Sequence, residues 1–443
     1  MIFDQLKAQL LSQAIQGKLV PHLAEEGTVE QIGDVPEEVP FEIPVSWKWV
    51  TLKSVGKIVG GGTPKTNINE YWDNGDINWF TPADLGTVNS IYATDSQRKI
   101  NSLGLKSSSA TLMPAGAVLY SSRAPIGHLA IATTECCTSQ GCKSFVPNLS
   151  YISSLWAYYV LMIRTPDIIS RASGSTFKEV NGKEVGKTII PLPPLKEQER
   201  IVKKLENSFE ELAKAEKAYI ELQRLSDDFR AAIFQEAIQG KLIPQLADDG
   251  VVEQLGKEPE KVPFEIPESW KWVTFDQVLL LENGDRGKNY PSKDKLSEAN
   301  TGYPFVSAIN LRNGFIDFNN MRFMSLDQAS KIRSGHIQKG DCLFCIRGSL
   351  GKFGFSNFDG GAIASSLVIL RIKNKISHEF LKIILNSPLV EYQISAQKNG
   401  TAQPNLGANV LSSFLLPLPP LKEQDRIVKK VDELLTQVAS LKI

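Results

Sequence analysis

The feature that most constrains this chain is that it repeats its own frame. Ala14 to Thr51 and Ala237 to Thr274 are identical at 28 of 38 positions, at a constant offset of 223. A second pair, PLPPLKEQERIVKK at 191–204 and its counterpart at 417–430, differs only at Glu199 against Asp425. Between these frames lie two stretches of similar length, 51–190 and 274–416, that are only faintly alike. AGAVLYSSRAPIG at 115–127 lies over KGDCLFCIRGSLG at 339–351, matching Arg123 to Arg347 and Gly127 to Gly351. WFTPADL at 79–85 likewise lies over FVSAINL at 305–311. Such a repeat predicts one structural unit built twice. A frame that is held while its inserts vary implies that the frame places them and that they recognise two different things.

The frame predicts long helices. Pro193-Pro194 suits a helix start, and Glu197 and Glu199 suit its first turn. Ile201, Leu205, Ser208, Leu212, Ala215, Tyr219, Leu222, Ser226, Phe229 and Ile233 then follow at spacings of four and three, a coiled-coil seam. No Pro or Gly intervenes before Gly240, so one helix is expected over about 195–239. The C-terminus repeats the start of this helix, with Ile427, Val431, Leu434, Val438 and Leu441 continuing the seam. The N-terminus repeats its end, with 6–18 lying over 229–241. An antiparallel pairing of the central helix with these two pieces is expected, and separate helical linkers are the alternative.

Each insert reads as a mixed α/β globule, with strand-like runs such as Ala117 to Tyr120 and Leu367 to Ile372. Helix-like stretches are expected at Leu155 to Arg164 and Glu379 to Leu385. Charge sorts with the repeat. The first insert has 13 basic against 9 acidic residues and the second 16 against 11, while the whole chain of 443 residues balances 49 against 49. Basic globules on acidic helices fit a polyanion held by the globules. The longest apolar run, Leu155 to Ile163, is far short of the ~20 residues that span a bilayer. Met1 to Leu10 lacks the apolar core of a signal peptide. Five cysteines, an odd and low count, fit a reducing compartment, so a cytoplasmic location is expected.

No catalytic motif stands out. The Asn/Asp-Pro-Pro-aromatic loop of amino-methyltransferases is missing from the sequence. Gly182-x-x-x-Gly186-Lys187-Thr188 has Asn181 where a phosphate-binding loop needs its first Gly, and it is expected to be a plain loop. Pro166-Asp167 has no nuclease-type Asp/Glu-x-Lys after it. Cys342 and Cys345 on a strand would point to opposite faces, which suits neither zinc nor redox pairing. Cys136, Cys137 and Cys142 lack a second close pair, and the four histidines are scattered in sequence.

Duplicated PLPPLKEQERIVKK opening a long helix, AIQGKL closing it and PFEIPxSWKW leading into a variable domain resemble, over the whole chain, the DNA-specificity (S) subunit of type I restriction–modification enzymes. The fold class implied is α/β, with two α/β target-recognition domains separated by long antiparallel coiled-coil helices in a pseudo-twofold repeat. The expected divisions are an N-terminal helical segment 1–20, a recognition domain 21–190, a central helical region 191–243, a second recognition domain 244–416 and a C-terminal helical segment 417–443. The resemblance implies a non-catalytic subunit whose two domains each read half of an asymmetric bipartite double-stranded DNA site. It implies two methyltransferase (M) and two translocase–nuclease (R) subunits as partners. S-adenosylmethionine, ATP and Mg are then expected on those partners and no cofactor in this chain.

Sequence is read in the major groove by hydrogen-bond forks, while phosphate contacts fix register. Arg123 and Arg347 occupy matched loops and suit a shared task, phosphate contact, with an Arg bracing its own loop as the alternative. Base reading should fall where the inserts differ. The candidates are Thr63, Lys65 and Asn67 after Gly60-Gly61-Gly62, with Ser139, Gln140 and Lys143 as weaker ones. In the second insert they are Arg286, Lys288, Asn289 and Tyr290 after Gly284. The paired Trp47-x-Trp49 and Trp270-x-Trp272 suit packing better than base stacking. Two other classes are the alternatives, a self-sufficient DNA methyltransferase or nuclease and a protein-scaffolding coiled-coil adaptor.

Overall fold

The computed structural model describes residues 2–174, 178–298, 301–312, 314–397 and 406–440. Two compact units divide the chain, Met1–Tyr219 and Ile220–Ile443. The helix Leu195–Ile238 has 44 residues and contributes to both. At ~1.5 Å per residue it is about 66 Å long. It ends as AIQGK dictates. Gly240 takes φ 71°, and its amide and that of Lys241 cap the Ala237 and Glu236 carbonyls. The N-terminal helix Ile2–Ile15 ends in the same way at Gly17, φ 68°. A left-handed residue closing a helix favours Gly.

The repeated motif explains itself residue by residue. In unit one the strand Lys48–Thr51 pairs antiparallel with Ile189–Leu192, and in unit two Lys271–Thr274 pairs with Leu415–Leu418. Trp47 Nε1 donates to Glu197 Oε2 (3.0 Å), and Trp270 Nε1 donates to Glu423 Oε2 (2.9 Å). Gln198 Oε1 accepts from the Ser153 amide and its Nε2 donates to the carbonyls of Tyr151 and Pro193. Gln424 does the same for Ser377, Lys375 and Pro419. Ser153 and Ser377 cap the long insert helices. Arg200 pairs with Glu26 and donates to the Pro21 carbonyl, as Arg426 does with Asp249 and Pro244. The Glu, Gln and Arg of each KEQ-x-R are thus fasteners between a helix start and its insert. The indoles of Trp47 and Trp270 are buried, so they pack and do not stack on bases.

Within unit one the first helix runs antiparallel to the central one, with Phe3 against Tyr219 and Lys7 Nζ 3.5 Å from Glu216. At its other end Ala14 and Ile15 share a core with Ile201 and Leu205. In unit two Ile233, Ala237 and Ile238 share a core with Ile427, Val431 and Val438. Of the expected seam, Ile201, Leu205 and Ile233 are buried. Tyr219, Leu222 and Phe229 are exposed. Leu441 lies outside the described residues.

Each insert is built on one strand order. In unit one the sheet runs Gly56–Gly60, Lys143–Pro147, Val118–Ser122, Ile126–Ala132, Tyr92–Ala93. In unit two it runs Leu279–Asn283, Leu367–Ile372, Cys342–Cys345, Phe353–Phe355, Gly314–Ile316, with Leu311–Arg312 added at the edge. A three-stranded sheet accompanies each. Cys342 belongs to one core and Cys345 to another, the opposite faces that strand geometry requires.

Two expectations need correction. The segment after Asn181 is a short helix, Gly182–Gly186, capped by the Asn181 side chain, and not a loop. The helix expected over 155–164 runs from Ser154 to Ser170, through Pro166. Its continuation is held by Asp167, which pairs with Arg164 (3.1 Å) and Arg171 (2.5 Å). Met162, whose carbonyl loses its helical partner to the proline, lies towards solvent.

Candidate nucleic-acid interface

Three segments far apart in sequence meet at one end of each sheet. In unit one the Ser122 amide donates to the Gly141 carbonyl (2.8 Å), and the Val180 amide donates to Ser122 O (3.0 Å). In unit two Ile346 receives the same treatment from Ser366 and Leu406, at 2.9 and 3.0 Å. Arg123 and Arg347 each follow immediately. The turn 139–142 is tied to Phe80 through the Ser139 amide, and 364–367 is tied to Val306 through the Ala364 amide.

The Gly-marked loops dock on these turns. Gly61 N and Gly62 N donate to the carbonyls of Cys142 and Thr138, and a Cβ on Gly61 would lie 1.9 Å from Ser139 O. A Cβ on Gly284 would lie 2.8 Å from Ile363 O. Only glycine lets the backbones approach this closely. Thr63, Lys65 and Asn67, Ser139, Gln140 and Lys143, and Arg123 are thereby gathered in unit one. Arg286, Lys288, Asn289, Tyr290 and Arg347 flank the matching turn in unit two.

Their side chains differ in availability. Thr63, Lys65, Asn67, Gln140, Lys288 and Arg347 are exposed, whereas Ser139 is buried. Lys143 Nζ folds back on the carbonyls of Gln140 (2.9 Å) and Cys142 (3.4 Å). Glu179 lies 3.9 Å from both Lys143 and Arg123. Arg286 donates to Asn283 Oδ1 (3.1 Å) and Ser365 O (3.4 Å), and Asn289 Nδ2 donates to Lys331 O (2.7 Å). Tyr290 packs its ring on Phe305, and its hydroxyl accepts from the Ser365 amide. Lys143, Asn289 and Tyr290 therefore already brace the loops they sit on.

Two cations escaped the sequence reading. Arg98 stacks 3.6 Å over Trp72, whose Nε1 holds the Lys65 carbonyl (3.2 Å), so it flanks the 63–67 loop. Arg333 donates its amide to Asp285 Oδ2 (3.0 Å) beside Arg286. The amides of Gly287 and Arg333 hold the Asp285 carboxyl below its ordinary value. Neither cation carried a sequence signal, since each depends on a partner at least 26 residues away.

The site offers cations and hydrogen-bond donors on the sheet ends. Burial pushes the thiols of Cys136, Cys137 and Cys142 up to about 12, far from thiolate chemistry at neutral pH. Among the described residues no cluster of His, Cys, Asp and Glu has the makings of a metal site. No helix there is long and apolar enough to cross a membrane.

Comparisons with known proteins agree with this layout. The family model described as the type I restriction modification DNA specificity domain matches twice, over 44–222 and 267–442. The MjaIX specificity subunit of Methanocaldococcus jannaschii is 29% identical over 392 residues, covering 86% of this chain and 84% of its own. The EcoAI specificity subunit of Escherichia coli is 21% identical, covering 99% and 90%. The HsdS subunit of Thermoanaerobacter tengcongensis shares the fold with a TM-score of 0.59 at 21% identity, covering 91% of this chain and 93% of its own. A chain solved for the complex assembly and conformational transition of the type I R-M system scores 0.62 at 22% identity, with the same coverage. With both of its units matched by that family model, the chain belongs to the type I restriction–modification DNA specificity family.

Proposed function

We propose that this chain is the sequence-recognition subunit of a type I restriction–modification complex and that each unit reads one half of an asymmetric bipartite DNA site. The observation that carries this reading is the contrast within each unit. The fasteners of the frame are the same, while most candidates in the loops gathered at the matched sheet end differ, the arginine at 123 and 347 and the lysine at 65 and 288 being shared. Two sockets of one design holding unlike readers suit two unlike half-sites.

In this reading Arg123 and Arg347 grip phosphate, and the exposed residues of 63–67, Gln140 and 286–288 reach base edges. The long helix sets the distance between the halves, and the frame receives two M subunits, which two R subunits join. S-adenosylmethionine, ATP and Mg belong to those partners, this chain performs no chemistry of its own, and the assembly works in the cytoplasm. The test is DNA protection by the chain with its M partner. Protection of two separated half-sites, indifferent to the bases between, is expected, and a single continuous footprint or none would contradict the reading.

A further inference from the structure

We propose that unit two carries a subsite for a DNA backbone phosphate that unit one lacks, a pocket formed by Arg312, Lys352 and Asn386. The proposal rests on the reading of unit two as a DNA reader. The pocket has a volume of about 460 Å³, and Leu350 and Gly314 complete its walls. Arg312 and Lys352 are exposed, and no carboxylate belongs to the described lining. Asp317, outside that lining, is 3.8 Å from Arg312 Nε. Lys382 adds a third cation at the rim, its chain crossing Gly314. The pocket opens on the loop that begins at Arg347, so a strand gripped there passes the candidate reading loop.

The matched place in unit one is closed. Capping boxes at Thr81/Asp84 and Ser307/Asn310 align the two units, which sets Gly86 at the place of Arg312. The match of Gly127 to Gly351 sets His128 at the place of Lys352. In unit one a Cβ on Gly86 would lie 2.6 Å from His128 Cε1, and His128 Nδ1 lies 3.1 Å from the Pro82 carbonyl. The imidazole fills the space that the two cations of unit two leave open. Met162 stands where Asn386 does, counting from the Ser153 and Ser377 caps. A guanidinium and an ammonium lining one concave surface, with Asp317 the acid beside the guanidinium, suit one phosphodiester.

The test uses the full chain and a fluorescein-labelled mixed-sequence duplex, with binding followed by anisotropy between about 50 and 200 mM salt. Each phosphate contact contributes roughly 0.9 to the slope of log affinity against log salt, so R312A/K352A should flatten the slope by about one. Binding should weaken several-fold, alike for all sequences, and R312K should keep the slope. An unchanged slope in a double variant that melts like the parent overturns the proposal. Calorimetry with inorganic phosphate separates the source. Phosphate binding that the double variant loses while the DNA slope stays put would assign the pocket to the free ion and refute the backbone role. If the parent chain binds no duplex at all, the recognition reading itself fails and this subsite falls with it.

Discussion

Units one and two fasten their helices with the same residues but balance one buried charge differently. In unit one His22 Nδ1 lies 2.6 Å from Glu197 Oε1, which also neighbours the Trp47 indole through its other oxygen. In unit two Gln245 stands at the place of His22, and Glu423 Oε1 is buried without a hydrogen bond of normal geometry. Burial pushes the Glu423 carboxyl above its ordinary value. The same fastener therefore meets an imidazole in one unit and a neutral amide in the other.

The largest expected effect tests whether the two fasteners are equally important. Trp47→Ala and Trp270→Ala each remove a buried indole and should cost about 3–5 kcal/mol. Hydrogen exchange resolved by segment should show the loss in the unit that carries the change, and equal loss in both units from either variant would break the comparison. Next come the loop glycines. Gly61→Ala forces a Cβ to 1.9 Å from a backbone carbonyl, against 2.8 Å for Gly284→Ala. Overpacking typically costs about 1–3 kcal/mol, with Gly61 at the upper end and Gly284 below it in thermal melts.

The acids should then part company. Glu197→Gln weakens the contact with His22 and should destabilise unit one by about 1 kcal/mol. Glu423 has the opposite sign. A carboxyl whose value is raised in the folded state favours folding at low pH, and that contribution is lost as pH rises through the folded value. Glu423→Gln should therefore stabilise unit two at neutral pH, with the advantage vanishing below the ordinary 4.5. Parallel urea titrations at neutral and acid pH check this. A neutral-pH loss in Glu423→Gln would show that the acid is satisfied after all. The smallest effect concerns Glu179, 3.9 Å from both Arg123 and Lys143. Glu179→Gln should tighten duplex binding by a few-fold at low salt, the scale of an exposed pair at about 0.2–1 kcal/mol. No change would mean that neither cation faces DNA.

Much of the frame could be read from residues in order. The central helix was expected over 195–239 and spans Leu195–Ile238, because its start and stop signals are local. The roles of Glu197, Gln198 and Arg200 were not legible, since their partners stand 150, 45 and 174 residues away. Periodicity marks an apolar face along the seam but not what lies against it, so the exposure of Tyr219, Leu222 and Phe229 was not legible. For the candidate site, glycine clusters marked the loops that dock on the turns, because close backbone approach leaves a compositional trace. Which side chains then brace the loop and which face outward depended on tertiary neighbours. Lys143 looked available in sequence and is tied to its own turn.

The most direct test maps methylated sites in cells carrying this chain with its own partners, before and after 51–190 is replaced by the matching insert of a relative. Two independent readers on a common frame predict that one half of the modified site changes while the other half and the spacing stay as they were. A change in both halves, or a site without a spacer, would contradict the account.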